Sequence, residues 1–311
     1  MTGRSLSVVV PVYNSEESLP LLVERLAPIL QSLGADHELI LVNDGSRDRS
    51  WGVIQTLTER HPWIRGINMM RNYGQHNAIL CGTREARFDT IVTMDDDLQH
   101  PPEEIPKLLA VLDGGFDVVY GLPKKMPHSL TRNLLSRITK SGLSRAMNIE
   151  GIRDISAFRA YRTTLRLAFE SYQSPQLLFD VLLSWGTARF GSVEVRHDPR
   201  MIGQSNYTFA TLFNQMLLIL TGFTTAPLRL ASLVGFAFTL LGVVILIFVL
   251  INYFARDTVP GFAFLASMIA LFSGAQLFAL GIIGEYLARM FTRTIERPTY
   301  VVADRTGQQA R

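Results

Sequence analysis

This chain has a single cysteine and only a small net charge. Cys81 is the only cysteine among 311 residues, which excludes an internal disulfide and fits a reducing compartment. The formal charge of +3 does not indicate binding to bulk nucleic acid. We expect no signal peptide, because Pro11 ends the first apolar run too early.

Charged side chains are absent from two long stretches near the end of the chain. No Asp, Glu, Lys or Arg occurs in residues 230 to 254 or in residues 261 to 284. A helix needs about 20 apolar residues to cross a bilayer, so we predict a hairpin of two transmembrane helices. The alternative is a pair of buried core helices, although adjacent uncharged stretches of this length are rare in soluble cores.

Basic residues flank this predicted hairpin. Arg229 precedes it, Arg289, Arg293 and Arg297 follow it, and the short link between the two stretches carries only Arg256. Because positive residues favour the cytoplasmic side of a membrane, we expect the rest of the protein and both termini to be cytoplasmic.

Acidic residues are absent from residues 118 to 149, which carry six Lys or Arg side chains. This stretch predicts contact with phosphate or an anionic membrane, or else an ordinary basic surface. Apolar residues at helical spacing between residues 209 and 220 predict an interfacial helix, with packing on the preceding domain as the alternative.

Short β-rich runs alternate with helical patterns from residue 6 to residue 120. The alternation predicts an α/β domain with a mostly parallel sheet and helices on both faces. Predicted strands cover residues 6–10, 38–42, 64–69, 90–94 and 117–120, and predicted helices cover residues 17–33, 50–60, 75–87 and 102–112. Ligands bind beyond the carboxyl ends of such strands, and polar clusters follow three of them, at residues 13–14, 43–46 and 95–97.

Three consecutive carboxylates, Asp95, Asp96 and Asp97, follow the fourth predicted strand. Neighbouring carboxylates repel each other, so the triplet indicates a bound divalent cation, Mg²⁺ or Mn²⁺. Because side chains alternate along a strand, we expect Asp95 and Asp97 to face one ion and Asp96 to point away, as a solvated or supporting acid. Gln99 keeps the parity of Asp95 and Asp97 and offers a carbonyl oxygen.

Several motifs occur in a fixed order. The chain carries PVYNSE at residues 11 to 16, NDGS at 43 to 46 and DDDLQHPPE at 95 to 103. This set resembles the family 2 glycosyltransferases of the GT-A (Rossmann-like) fold. The runs RNYGQH from residue 71 and DISAFR from residue 154, with the hairpin, narrow the resemblance to polyprenyl-phosphate glycosyltransferases. That group includes dolichol-phosphate mannose synthases, bactoprenol glucosyltransferases and undecaprenyl-phosphate formamido-arabinose transferases.

The resemblance implies an inverting transfer of a sugar from a nucleotide-sugar to a polyprenyl phosphate such as undecaprenyl phosphate. We expect a UDP-sugar donor, with glucose or a modified arabinose as the sugar. The implied nucleotide-sugar contacts are Pro11, Tyr13, Asn14, Glu16, Asn43, Asp44, Asp95 and Asp96. The resemblance also makes Gln99 a third metal ligand beside Asp95 and Asp97. The family often has Asp in place of Asn43, and local packing is the alternative for Tyr13.

The resemblance implies that Asp154 lies near the reacting centre, which makes Asp154 and Asp97 the candidate catalytic residues. A phosphate monoester has a second pKa of about 6, so the acceptor needs little general-base help, and we favour an orienting or electrostatic role for Asp154. We expect Arg159 to form an ion pair that orders its segment. Candidate contacts to the acceptor phosphate are Arg132, Arg137, Arg200, Ser205 and Tyr207. Asn206 stands where the family usually has Lys.

We predict four parts in order. A GT-A domain covers residues 1–205, an interfacial region 206–228, a transmembrane hairpin 229–288 and a cytoplasmic tail 289–311, which is expected to be frayed from residue 303. The resemblance implies a protein of the bacterial inner membrane and permits a tetramer. The alternatives are a processive polysaccharide synthase, which is expected to have more spans and a Gln-x-x-Arg-Trp motif, and a non-catalytic membrane scaffold that binds nucleotide-sugars.

Overall fold

Eight strands form one sheet in the computed structural model, which describes residues 5–34, 36–123, 155–174, 177–198, 226–256, 261–295 and 297–307. The strands are β1 Leu6–Val12, β2 His37–Asn43, β3 Ile64–Met69, β4 Thr90–Thr93, β5 Val118–Pro123, β6 Arg159–Arg162, β7 Phe190–Val195 and β8 Val302–Thr306. They lie in the order β7-β5-β6-β4-β1-β2-β3-β8. Strands β6 and β8 run antiparallel to their neighbours, and the other pairs are parallel. The sheet is therefore mixed and mostly parallel, as predicted.

Five helices accompany the sheet in the part of the chain that the structure describes. They are α1 Ser18–Ser32, α2 Ser50–Arg60, α3 Gln75–Glu85, α4 Ile105–Asp113 and α5 Phe179–Gly186, with 3-10 turns at Pro102–Glu104 and Thr163–Phe169. The predicted elements up to residue 120 are all present, with ends that differ by at most three residues. The sequence analysis did not predict α5 or the strands β6, β7 and β8.

The sheet is covered on both faces because its central strands are apolar on both sides. All seven residues of β1 are buried. Val8 and Val10 join a core cluster with residues of α1, α2 and α4, whereas Val9 joins a second cluster with residues of α3 and α5. Near-continuous apolar strands are typical of a sheet that carries helices on both faces. The strand ends therefore form the open edge of the domain.

Strand β8 corrects the prediction of a frayed tail. Residues 302 and 304 to 306 pair with β3 instead, with Gly66 opposite Thr306 and Met69 opposite Val302. The polarity of this segment is that of an edge strand, whose outer side chains face water. The segment belongs to the same compact unit as the sheet, which comprises Met1–Asn206 and Glu296–Arg311.

A buried ion pair joins the strands of the sheet to α5. The Arg159 guanidinium, in a residue that is 1% exposed, pairs with Asp180. Its Nε donates to Thr93 Oγ1 at 3.0 Å, and the Tyr120 hydroxyl donates to Asp180 Oδ1 at 2.9 Å. The predicted ion pair of Arg159 is confirmed, and it connects β4, β5 and β6 with α5.

The second compact unit, Tyr207–Ile295, contains two long helices, α6 Ala226–Arg256 and α7 Phe262–Thr294. They touch where Phe238 meets Phe272, with ring centroids 5.9 Å apart. The segments Pro227–Asn252 and Leu271–Ala288 are long and apolar enough to cross a membrane. In each segment, no residue of the most apolar 18-residue stretch is buried. This exposure argues against the alternative of buried core helices.

We predict that Asp180→Asn lowers the melting temperature of the full chain in detergent by about 10 °C. Removing one partner of a buried ion pair costs about 3–5 kcal/mol because the other charge stays buried and uncompensated. Tryptophan fluorescence during heating measures the shift.

The matched control is Glu103→Gln, which makes the same carboxylate-to-amide change in the more exposed pair with Arg25. Such pairs contribute at most about 1 kcal/mol, so its melting temperature should change by about 2 °C or less. Equal shifts in the two variants would contradict the importance of the buried pair.

Candidate active site

The loops that follow β1 and β2 are hydrogen-bonded to each other in both directions. The Asn14 N–H donates to Ser46 Oγ at 3.0 Å, and Asn14 Oδ1 accepts from the Arg47 N–H at 2.8 Å. Glu16 repeats the arrangement, because its N–H donates to Asp48 and its Oε2 accepts from the Arg49 N–H at 2.9 Å. Asn14 has a φ of 54°, a left-handed conformation that Asn tolerates. Asn14 and Glu16 thus hold the two loops together, and their contact with a nucleotide stays a prediction.

Pro11 and Tyr13 occupy different environments at the end of β1. Pro11 is buried, and the ladder with β4 ends at Val9. The Val12 carbonyl accepts from Asp44 in the loop after β2. Successive residues of a strand point their backbone groups at opposite neighbouring strands, so the nitrogen of Pro11 faces β4. The ladder with β4 has already ended there, so the lack of an N–H on proline costs no hydrogen bond. Tyr13 is 43% exposed. Of Pro11 and Tyr13, only the Tyr13 side chain is therefore accessible to a ligand.

Asp44 holds the loop that connects β3 to α3, residues 70–74, called here the β3–α3 loop. Asp44 is buried, and its two carboxylate oxygens accept from the backbone N–H groups of Tyr73 at 2.6 Å and Gly74 at 2.8 Å. Burial raises the pKa of this carboxyl, and the two N–H donors partly offset the rise. The neighbouring Asn43 donates from Nδ2 to Asn68 Oδ1 on β3 at 2.7 Å. Both predicted nucleotide contacts therefore connect β2 with β3 and its loop.

Gly45 allows this close approach of the two backbones. Its φ is 63°, and a Cβ built on it would lie 2.4 Å from the backbone carbon of Arg71. No side chain fits there without moving the loop. The exposed Arg71 stacks on the Tyr73 ring, with its guanidinium carbon 4.6 Å from the ring centroid.

The carboxylate triplet lies in a turn, which corrects the geometry expected from the sequence. Strand β4 ends at Thr93, and Leu98 has a φ of 58°. Strand alternation therefore does not extend through Asp95, Asp97 and Gln99, and it cannot be the reason for those side chains to face one ion. Turn geometry determines their directions instead, so their shared ligation of a metal stays a prediction.

Asp96 is hydrogen-bonded to the loop after β1, which favours the supporting acid over the solvated one. Its carboxylate accepts a hydrogen bond from the Ser15 hydroxyl and a longer one, 3.4 Å, from the Tyr13 N–H. Burial raises its pKa to about 6, and the charge of Asp97 acts in the same direction. Asp96 thus ties the β4 end to the loop after β1, and a direct contact with the nucleotide-sugar stays a prediction.

Asp95 and Asp97 are partly exposed at the same edge of the sheet. Gln75, the first residue of α3, donates from Nε2 to Asp95 Oδ1 at 2.5 Å. The Gln99 N–H donates to Asp97 Oδ1 at 3.1 Å, and the Gln99 carbonyl accepts from the Asp198 N–H at 2.8 Å. No role was predicted for Gln75 from the sequence, although it lies in the run RNYGQH and at the start of a helix that follows a strand end.

The donor set suits a hard divalent cation. No group of three or more His, Cys, Asp and Glu side chains that could hold a metal occurs in the described parts of the chain. Mg²⁺ commonly takes only one or two protein carboxylates and completes its shell with water and substrate phosphates. Two carboxylates, Asp95 and Asp97, with the Gln99 amide therefore fit an ion that a diphosphate helps to hold.

His100 lies beside this turn in an aromatic cluster. Its ring stacks on Phe158 at 5.3 Å between centroids and meets His197 edge-on at 5.0 Å. Burial lowers the pKa of His100 to about 4, with a smaller contribution from His197. The nearby Ala157 carbonyl accepts from Thr93 Oγ1 at 2.9 Å, which attaches the segment after residue 154 to the end of β4.

The remaining predicted site residues lie outside the described residues. They are Asp154, Arg132, Arg137, Arg200, Ser205 and Tyr207. The predicted basic stretch after residue 123 and most of the predicted interfacial region lie outside as well. The described site is therefore the half that was assigned to the nucleotide-sugar and the metal.

A family profile decides the classification. The profile of glycosyl transferase family 2 matches residues 7–169, which is more than half of the chain. The chain belongs to glycosyl transferase family 2. The match confirms the family and the enzyme class that the motifs of this glycosyltransferase predicted.

Curated relatives cover almost the whole glycosyltransferase chain. An undecaprenyl-phosphate 4-deoxy-4-formamido-L-arabinose transferase from Shewanella sediminis is 37% identical over 303 residues, covering 96% of this chain and 92% of the relative. A protein of the same name from Photorhabdus laumondii is 36% identical, and the match covers 98% of this chain and 95% of that protein. The similarity therefore includes the two long apolar helices.

Solved structures confirm the fold class. Glucosyl-3-phosphoglycerate synthase from Mycobacterium tuberculosis, solved with Mn²⁺, uridine-diphosphate-glucose and phosphoglyceric acid, has a TM-score of 0.52 and 18% identity. The match covers 71% of this chain and 79% of that protein. At this identity the likeness concerns the GT-A fold alone.

We predict that Gly45→Ala speeds amide hydrogen exchange at Tyr73 and Gly74 about tenfold, because the new methyl group pushes the β3–α3 loop away from Asp44 and weakens two hydrogen bonds. Gly34→Ala is the control, since Gly34 has the same φ of 63° and a Cβ built on it would have no neighbour within 4 Å. Both variants carry the same left-handed backbone penalty. Unchanged loop exchange in Gly45→Ala, measured by mass spectrometry, would contradict the close-approach argument.

Proposed function

We propose that this glycosyltransferase transfers a sugar from a UDP-sugar to undecaprenyl phosphate at the cytoplasmic face of the bacterial inner membrane. The observation that carries the proposal is the similarity, over 96% of this chain, to transferases named for undecaprenyl phosphate. A modified arabinose is the first donor sugar to test, and glucose is the second.

The strand-end site supports a nucleotide-sugar donor. The donor's nucleotide would lie over the joined loops after β1 and β2, beside exposed Tyr13 and the buried Asp44. Its diphosphate would reach the turn that carries Asp95 and Asp97. The solved relative that binds Mn²⁺ and uridine-diphosphate-glucose has the same fold and makes this placement reasonable for a UDP-sugar.

The reaction needs little proton transfer. An oxygen of the acceptor phosphate attacks the anomeric carbon while the bond from that carbon to the nucleoside diphosphate breaks, so the configuration inverts. At neutral pH the phosphate monoester is largely deprotonated, and no residue has to remove a proton from it. When bound, Mg²⁺ or Mn²⁺ supplies positive charge for the departing diphosphate. The residues of the chain position donor and acceptor, which is where most of the rate enhancement would arise.

The return of the chain to the sheet supports a topology with an even number of membrane crossings. Strands β1 to β7 and strand β8 belong to one sheet, and the apolar helices α6 and α7 lie between β7 and β8 in sequence. If both helices span the membrane, the sheet and β8 are on one side. The flanking arginines make that side the cytoplasm.

We predict that Asp97→Ala lowers the transfer of radiolabelled sugar into butanol-extractable lipid by about 10³-fold, because charge on the leaving diphosphate loses its stabilisation. The control is Asp36→Ala, which removes an exposed carboxylate just before β2, far from the strand ends. Turnover of Asp97→Ala near that of the parent enzyme, with Mg²⁺ or Mn²⁺ present, would exclude the proposed site.

The same assay tests the acceptor. Undecaprenyl phosphate and 3-phosphoglycerate are offered in parallel with a panel of UDP-sugars, because a solved structure of the same fold contains phosphoglyceric acid. We expect product with the lipid only. Product with 3-phosphoglycerate alone would overturn the lipid acceptor while leaving the nucleotide-sugar site intact.

Cysteine labelling tests the topology. The single native thiol, Cys81, is buried, and burial raises its pKa to about 12, so it gives little background. We predict that a membrane-impermeant maleimide labels Asp257→Cys in intact spheroplasts, whereas it labels the exposed Glu17→Cys only after lysis. Labelling of both variants before lysis would contradict the cytoplasmic placement.

A further inference from the structure

The segment that follows α7 contacts both elements that flank the β3–α3 loop. Residues 299 to 302, called here the return segment, run beside the end of β3. The Met70 N–H, the first of the loop, donates to the Val301 carbonyl at 2.9 Å, and Val302 lies opposite Met69. The pairing changes register between Asn68 and Met69, so a local irregularity coincides with the start of the loop.

Tyr300 attaches the same segment to α3. Its ring lies 5.8 Å from the Arg84 guanidinium carbon. Tyr300 also packs against the core cluster that contains Cys81 and Ile79. Thr299 beside it is 4% exposed. The return segment therefore touches the strand before the loop and the helix after it.

The β3–α3 loop is held from its other side by the active site. Asp44 accepts from Tyr73 and Gly74, and Gln75 donates to Asp95. Only residues 71 to 74 separate the Val301 contact of Met70 from the Asp95 contact of Gln75. A shift of β3 relative to α3 would move this short stretch, and with it the side chain that holds a predicted metal ligand.

We propose that the return segment, residues 299 to 302, positions the β3–α3 loop for nucleotide-sugar binding. A part of the chain that lies beyond both apolar helices is then a positioning element of the active site. The inference rests on the proposed function for its assignment of the loop to the donor.

The far end of β8 provides a separate anchor. Gly307, at a φ of 74°, would place a Cβ 2.4 Å from the Ile64 carbonyl, and a Cβ on Gly66 would lie 2.6 Å from the Thr306 methyl group. Arg305 pairs with Glu85 at 3.0 Å. These contacts lie near the start of β3, away from the loop. The strand can therefore stay docked when the contacts of Tyr300 are weakened.

The test compares Tyr300→Ala with Arg305→Ala in the full chain. For Tyr300→Ala we expect the KM for the UDP-sugar to rise about tenfold, with kcat and the KM for undecaprenyl phosphate within about twofold of the parent. For Arg305→Ala we expect all three constants to stay within about twofold, because the ion pair is partly exposed. Tyr300→Phe keeps the ring beside Arg84 and should restore most of the donor KM.

Amide hydrogen exchange separates failure of this inference from failure of the proposed function. In Tyr300→Ala, exchange at Met70, Tyr73 and Gly74 should be about fivefold or more faster, whereas Arg305→Ala should change only residues near the start of β3. Faster loop exchange in an enzyme that glycosylates no lipid would refute the proposed function and retain the positioning. Unchanged loop exchange, or equal donor KM effects in the two alanine variants, would overturn the positioning.

Discussion

The buried carboxylate of Asp44 is the contact on which the geometry of the site depends. It lies at the end of β2 and accepts from two consecutive backbone N–H groups in the β3–α3 loop. A buried carboxylate is costly without such donors, so carboxylate and loop stabilise each other in one arrangement. That arrangement places Gln75 at the start of α3, within reach of Asp95. These hydrogen bonds thus connect the ends of β2, β3 and β4.

The acids of the site differ in the partners that hold them. Asp96 and Asp44 are committed to backbone and hydroxyl donors of neighbouring loops, whereas Asp95 and Asp97 remain partly exposed at the edge. Deeper in the sheet, Arg159 and Asp180 hold β4 against β6 and α5. The carboxylates of Asp95 and Asp97 therefore rest on a scaffold that contains a buried ion pair. Such rigidity suits a reaction that depends on positioning.

Local patterns were sufficient for the first half of the fold. Strands β1 to β4 are short apolar runs with turn residues after each, and these signals depend only on neighbouring residues. Strands β6 and β8 carry arginines and pair antiparallel with distant strands, so their formation depends on partners that no local pattern shows. The triplet was identified as a cluster, but strand alternation failed beyond Thr93 because β4 ends there and the chain enters a turn. The solvated alternative for Asp96 stayed open in the sequence because its partner, Ser15, lies 81 residues earlier.

The pairing of β8 with β3 determines when the β3 edge of the sheet can be covered during synthesis. Until the ribosome has made both apolar helices and the residues beyond them, β3 remains an open sheet edge. Open edges recruit strands from other chains and expose backbone to proteases. A nascent chain whose helices have not reached their final place keeps that edge unprotected. A chain in which β8 has not yet paired with β3 is thus open to aggregation and degradation.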